Sequence, residues 1–144
     1  MLSDLFQSKH RRKINRWKKE HIKMVELAHK VLGEYGKGEQ TKAKKYLKEF
    51  SNISMDHIVS EEIAFFKLLH RDAETDRQTE KLVEEFTKSF GDTKETLTKF
   101  LAKYTALLAT LDEEFFDTFN AIVKILGERI EYEENNLYLH MSLS

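Results

Sequence analysis

The chain contains no cysteine and no proline, and only five glycines in 144 residues. Without cysteine there is no disulfide framework, no thiolate metal site and no thiol nucleophile. Without proline, and with so little glycine, nothing cuts the chain into short strands joined by tight turns. Long helices are the expectation. Long apolar runs are missing too, since no stretch approaches the roughly 18–20 residues that a membrane-crossing helix needs. The opening MLSDLFQSKHRRK reaches a basic run before any signal-like apolar core develops, which is read as a cytoplasmic protein with no membrane partner. GEYGKGE, residues 33–39, has too few glycines for a phosphate loop and no Lys-Ser/Thr after it. No serine–histidine–acid arrangement suggests itself, so the chain is read as a non-enzyme.

The composition is 40% hydrophobic and 34% charged, as in a folded globular protein, and the length suits one domain over residues 1–144. The net charge of −1 hides an uneven distribution. Residues 9–23 hold eight Lys or Arg against one Glu, whereas residues 112–134 hold eight Asp or Glu against Lys124 and Arg129. The basic stretch also has helical apolar spacing, so it reads as the solvent face of a first helix beside an acidic last helix. Nucleic acid is not the expected partner.

Apolar periodicity marks four helices, at about 8–35, 40–70, 77–111 and 113–138. The first carries Ile14, Trp17, His21, Met24, Val25, Ala28 and Leu32 on one stripe, and Gly36 is suited to the left-handed position that ends it. The second carries Leu47, Phe50, Ile53, His57, Glu61, Phe65 and Leu68. Residues 71–76 form a polar connection. The third carries Leu82, Phe86, Phe90, Leu97, Leu101, Tyr104 and Leu108, with a break at Gly91-Asp92 where Asp92 is placed to cap a restarted helix. The fourth carries Phe115, Phe119, Ile122, Leu126, Arg129, Glu133 and Leu137. Long helices with short connections pack as antiparallel neighbours, giving an all-α, up-down-up-down four-helix bundle. In Phe65-Phe66 and Phe115-Phe116 the paired side chains point about 100° apart, so one of each pair is expected near the surface as a dimer or partner contact.

Polar residues interrupt two of these stripes in the same way. DHIVSEE at 56–62 and ERIEYEE at 128–134 share one pattern 72 residues apart, half the chain. His57 and Glu61 are four apart and project from one helix face, as do Arg129 and Glu133. A carboxylate on an apolar stripe is costly unless it is paired, hydrogen-bonded or bound to a metal. Folding the first hairpin at residues 36–39 brings His21 to the same level, so five polar groups converge in an oily core. His10, His29, His70 and His140 read as structural or solvated.

These residues resemble the hemerythrin-like, HHE cation-binding family. The likeness lies in Glu20-His21, a glycine-containing loop, the H-x-x-x-E-E of His57, Glu61 and Glu62, and RIEYEENNLY at 129–138. It implies a hemerythrin-like bundle with metal ligands at His21, His57, Glu61 and Glu133. It also implies histidines on the third and fourth helices, where this chain has Phe86 and Arg129. No histidine lies between residues 71 and 139, so a complete two-iron site cannot be built. Arg129, a permanently charged fork of donors, is expected to bridge Glu61 and Glu133 in place of a lost cation.

The first functional expectation is therefore a hemerythrin-like bundle with a degenerate metal centre and no cofactor, acting as a sensor or interaction module rather than an oxygen carrier. A second is a cation-binding protein that holds iron or zinc in an altered site. The third is a protein-binding regulator, since Asn15-Arg16-Trp17 and the R-x-x-x-E-E of 129–134 are similar to anti-sigma four-helix bundles of the regulator-of-sigma-D type. A protein partner or a homodimer is expected in the first and third cases.

Overall fold

A computed structural model describes residues 2–70 and 77–143, with side chains from residue 10 to 69 and from 77 to 141. The polar connection expected at 71–76 lies outside the described residues. All described secondary structure is helical: α1 (Leu2–Gly36), α2 (Gln40–His70), α3 (Arg77–Phe90), α4 (Thr93–Tyr104), α5 (Glu113–Tyr132) and α6 (Tyr138–Leu143). A π turn, Glu133–Leu137, joins α5 to α6 in one rod. With α3 and α4 as two parts of another, the described helices make four rods. None is long and apolar enough to cross a membrane.

Heptad-like spacing explains which faces meet. Ile14, Trp17, His21, Met24, Ala28 and Val31 of α1 are all buried, as are Ala43, Leu47, Phe50, Ser54, His57, Glu61 and Leu68 of α2. Steps of three and four residues keep each set on one side of its helix. Val25 falls just outside that line and is exposed, contrary to its expected place on the α1 stripe. On the last rod the buried positions run 115, 119, 122, 126, 129, 133 and 137. The final step is four where the alternation calls for three. The π turn takes up the additional residue, with the Tyr138 N–H bonded five residues back to Glu133 O. The rod thereby reaches Leu143 rather than ending near 138, and Leu137, Tyr138 and Met141 all turn inward.

Three local expectations are corrected. The first helix runs through Gly36, so the left-handed residue is Gly38, at φ 76°. The break at Gly91-Asp92 is present, but the Asp92 side chain makes no capping hydrogen bond. Glycine is needed there because a Cβ at residue 91 would stand 2.5 Å from Thr87 O. The third rod stops at Tyr104 rather than 111. Side chains of α2 hold the next segment in a non-helical path: Lys44 Nζ donates to Leu107 O at 2.9 Å and Ala109 O at 2.6 Å. The Gln40 amide makes two 2.8 Å bonds to the backbone of Leu111. Leu108, expected on the inner stripe, is consequently 92% exposed. Asp112 then caps α5, its carboxylate accepting from Phe115 N at 2.8 Å.

Among the described residues, the buried apolar side chains form two clusters. One gathers Met24, Leu47, Phe50, Leu97, Phe115 and Phe119 with their neighbours. The other gathers Trp17, Phe65, Val83, Phe86, Tyr138 and Met141. Between them lies a buried polar layer made of His21, His57, Glu61, Arg129 and Glu133.

Candidate metal centre

The layer is assembled from three rods. α1 supplies His21, α2 supplies His57 and Glu61 one turn apart, and the last rod supplies Arg129 and Glu133 one turn apart. Each of the five is at most 4% exposed. One ligand-type atom from each of His21, His57, Glu61 and Glu133 lies within 4.8 Å of the other three. Thus the four residues expected as metal ligands are brought together.

Both imidazoles are fixed from behind by carboxylates. His21 Nδ1 lies 2.8 Å from Glu134 Oε2, and His57 Nδ1 lies 2.8 Å from Glu20 Oε1. A carboxylate at Nδ1 holds the proton there and turns the Nε2 lone pair toward the centre, the arrangement found behind metal-bound histidines. The two Nε2 atoms face each other at 3.0 Å. His57 Nε2 is 3.0 Å from Glu61 Oε1, and His21 Nε2 is 3.1 Å from Glu133 Oε1. Donor atoms about 2.1 Å from a shared ion stand roughly 3.0 Å apart at right angles and roughly 3.4 Å apart in a tetrahedron. The three short spacings match either hydrogen bonds or donors on one ion, and with all four atoms within 4.8 Å of one another the group could in principle hold a metal.

Arg129 adjoins both glutamates, as expected. Its Nη2 donates to Glu61 Oε1 at 3.3 Å, and its Nε is 3.7 Å from Glu133 Oε2. The guanidinium lies over the Phe86 ring, 4.8 Å from its centroid. Phe86 of α3 thus gives Arg129 an aromatic floor.

The two central carboxyls ionise differently. Burial alone would raise Glu61, but hydrogen bonds from Glu133 and His57 and the charges of His57 and Arg129 bring it down to about 2. Burial pushes Glu133 well up, and the charge of Glu61 adds to that, with Arg129 offsetting only part. Neither Glu133 oxygen receives a well-aligned hydrogen bond among the described residues. The imidazoles divide in the same way. Burial and the nearby His57 lower His21, while for His57 burial is outweighed by Glu61 and Glu20, which raise it. Glu133 and His57 thus release their protons less readily than an ordinary carboxyl and imidazole, and an incoming cation would compete with those protons.

Three members of this centre were not among the expected ligands. In the sequence Glu20 stands out only beside His21, Glu134 only within an acidic pair, and Tyr138 only as the end of a motif. The Tyr138 hydroxyl nevertheless donates to Glu61 Oε2 at 2.7 Å. Their signal in the sequence is adjacency, an acid directly before His21 and directly after Glu133, and an aromatic five residues beyond Glu133. Of the other histidines with described side chains, His10 is buried away from the cluster, His29 is exposed and His140 is half-buried. Phe66 and Phe116 are the exposed members of their pairs, at 51% and 37%. No protein-family model, curated protein or solved structure matches the chain.

Proposed function

We propose that this chain is a cation-binding protein of hemerythrin-like, up-down-up-down four-helix architecture that holds one metal ion, iron or zinc, at His21, His57, Glu61 and Glu133. The observation that carries the reading is the pair of inward-facing Nε2 atoms, each backed by its own carboxylate at 2.8 Å. Two buried imidazoles have little reason to present lone pairs to each other at 3.0 Å unless a proton or a metal lies between them. Glu133 supports the same reading, because the negative charge of a buried carboxyl that Arg129 offsets only in part gains from an added cation. When bound, such an ion supplies a Lewis-acidic centre.

Arg129 acts as a fixed second cation. It adjoins each glutamate, so the site needs one ion where the family's pattern would need two. One ligand-type atom from each imidazole and each carboxylate still lies within 4.8 Å of the others. The ion contents of the purified protein and of a His21→Ala/His57→Ala variant test the reading. About one iron or zinc per chain is expected in the first and none in the second.

A second reading is favoured by Arg129 itself. The guanidinium already compensates Glu61, so the bundle is complete without metal and works as an interaction module or as a regulator of another protein. Phe66 and Phe116, exposed on the surface, are where such a partner or a second copy would bind. Protein that carries no ion, and whose melting temperature is unchanged by zinc or iron, favours this alternative.

A further inference from the structure

Tyr138 is 1% exposed, and its hydroxyl lies inside the polar layer. It donates to Glu61 Oε2 at 2.7 Å and stands 3.3 Å from His21 Nε2. The 3.3 Å spacing to His21 falls in the range expected of atoms sharing one ion, and the 2.7 Å spacing to Glu61 is that of a short hydrogen bond. The ring is held in place on both sides. It stacks on His21 at 5.8 Å between centroids and lies against Trp17 at 5.5 Å. Trp17 is in turn anchored by its indole N–H donating to Ser60 Oγ at 3.2 Å.

The placement of Tyr138 depends on the π turn. In an uninterrupted α-helix, residue 138 would be rotated about 100° from residue 137, and the stripe would pass through residue 136. The additional residue in Glu133–Leu137 lets Glu133 and Tyr138 of the same rod address the same centre. π turns inside α-helices are often found where a side chain must be re-aimed for function.

We propose that Tyr138 is a fifth ligand, binding as its phenolate, and that it inclines this centre toward ferric iron. The inference rests on the metal-binding reading above. With Glu61 and Glu133, Tyr138 makes three hard anionic oxygen donors beside two imidazoles, a set better matched to a trivalent ion than to zinc. On binding, the phenolic O–H bond breaks, the proton leaves to the buffer, and an oxygen lone pair goes to the ion. No electron changes hands when the iron is supplied as ferric. Glu61 is the present acceptor of the hydroxyl proton.

The test loads metal-free wild-type chain and Tyr138→Phe with ferric citrate, then reads iron per chain, visible absorption and resonance Raman spectra. The wild type is expected to bind about one iron and to show a phenolate-to-iron charge-transfer band with tyrosinate ring modes. Tyr138→Phe is expected to retain iron with roughly tenfold weaker affinity and to lack both signals. Iron bound without the band, a band that survives in Tyr138→Phe, or uptake of zinc but not iron would overturn the role of Tyr138 and leave the four-ligand site standing. A chain that takes up neither ion overturns both. Should Tyr138→Phe fail to fold, the wild-type Raman spectrum decides alone, tyrosinate modes supporting the ligand and their absence refuting it.

Discussion

The two repeated segments, 56–62 and 128–134, place a basic residue and a glutamate four apart on facing rods, yet their glutamates end in opposite states. Glu61 is met by His57, Arg129 and Tyr138 at 2.7–3.3 Å and is held ionised, its pKa down to about 2. Glu133, buried to the same degree, has no well-aligned donor at either oxygen among the described residues and is pushed well up. Spacing along a helix therefore does not fix the chemistry of a buried acid. What fixes it is the number of donors that other rods supply, and the first acid to be satisfied raises the pKa of the second.

The strongest way to break this contrast is to remove the group that both glutamates share. Arg129→Ala should destabilise the metal-free protein by roughly 3–5 kcal/mol, because it leaves Glu61 buried with one cation fewer. Urea titration reads this directly. An Arg129→Ala protein that unfolds at the parent's midpoint would show that the guanidinium compensates nothing.

The next effect separates the two acids by pH. Glu61 has a depressed pKa, so its contribution is present above the ordinary 4.5 and is lost as pH falls toward 2. Glu133 has a raised pKa, so its protonated form favours folding below the ordinary value, and that contribution is lost as pH rises through the folded value. Glu61→Gln should therefore destabilise the metal-free protein at neutral pH by about 2–3 kcal/mol, through the loss of charge-assisted hydrogen bonds, and lower its melting temperature. Glu133→Gln should be near neutral in acid and stabilising in alkali. Melting curves of both variants between pH 4 and 9 check the signs, and identical profiles for the two would refute the asymmetry.

Metal affinity sharpens the same contrast. The protons on Glu133 and His57 must leave before an ion can bind, so affinity should rise with pH by up to about tenfold per unit for each proton displaced. Competition against a chelator at several pH values measures it, and a pH-independent affinity would mean that neither proton is held as described. A smaller effect lies far from the centre. Gln40→Ala should cost about 1–2 kcal/mol by freeing the two backbone bonds at Leu111, with the metal site unaffected.

Much of this arrangement was legible along the chain, for a physical reason. His21, His57, Glu61, Arg129 and Glu133 stand out because each occupies an apolar stripe, where a polar group must find partners. Glu20 and Glu134 flank the stripes and look like ordinary solvent-facing acids. Their role depends on which rod lies opposite, and Glu134 meets His21 across 113 residues of chain. The π turn left one trace, the repeated four-residue step at 129, 133 and 137, which an unbroken helix would not bury. The end of the third rod left none, since Leu107-Leu108 continues the apolar period while Lys44 and Gln40 of a different rod capture its backbone. Donors arriving from elsewhere in the fold are what periodicity does not reveal.

The measurement that tests the central claim most directly is the metal content of the untagged chain, grown with ample iron and zinc, beside that of the His21→Ala/His57→Ala variant. The account predicts about one ion per chain, lost when both imidazoles are removed. Wild-type protein without any ion, or a variant as fully loaded as the parent, would contradict it.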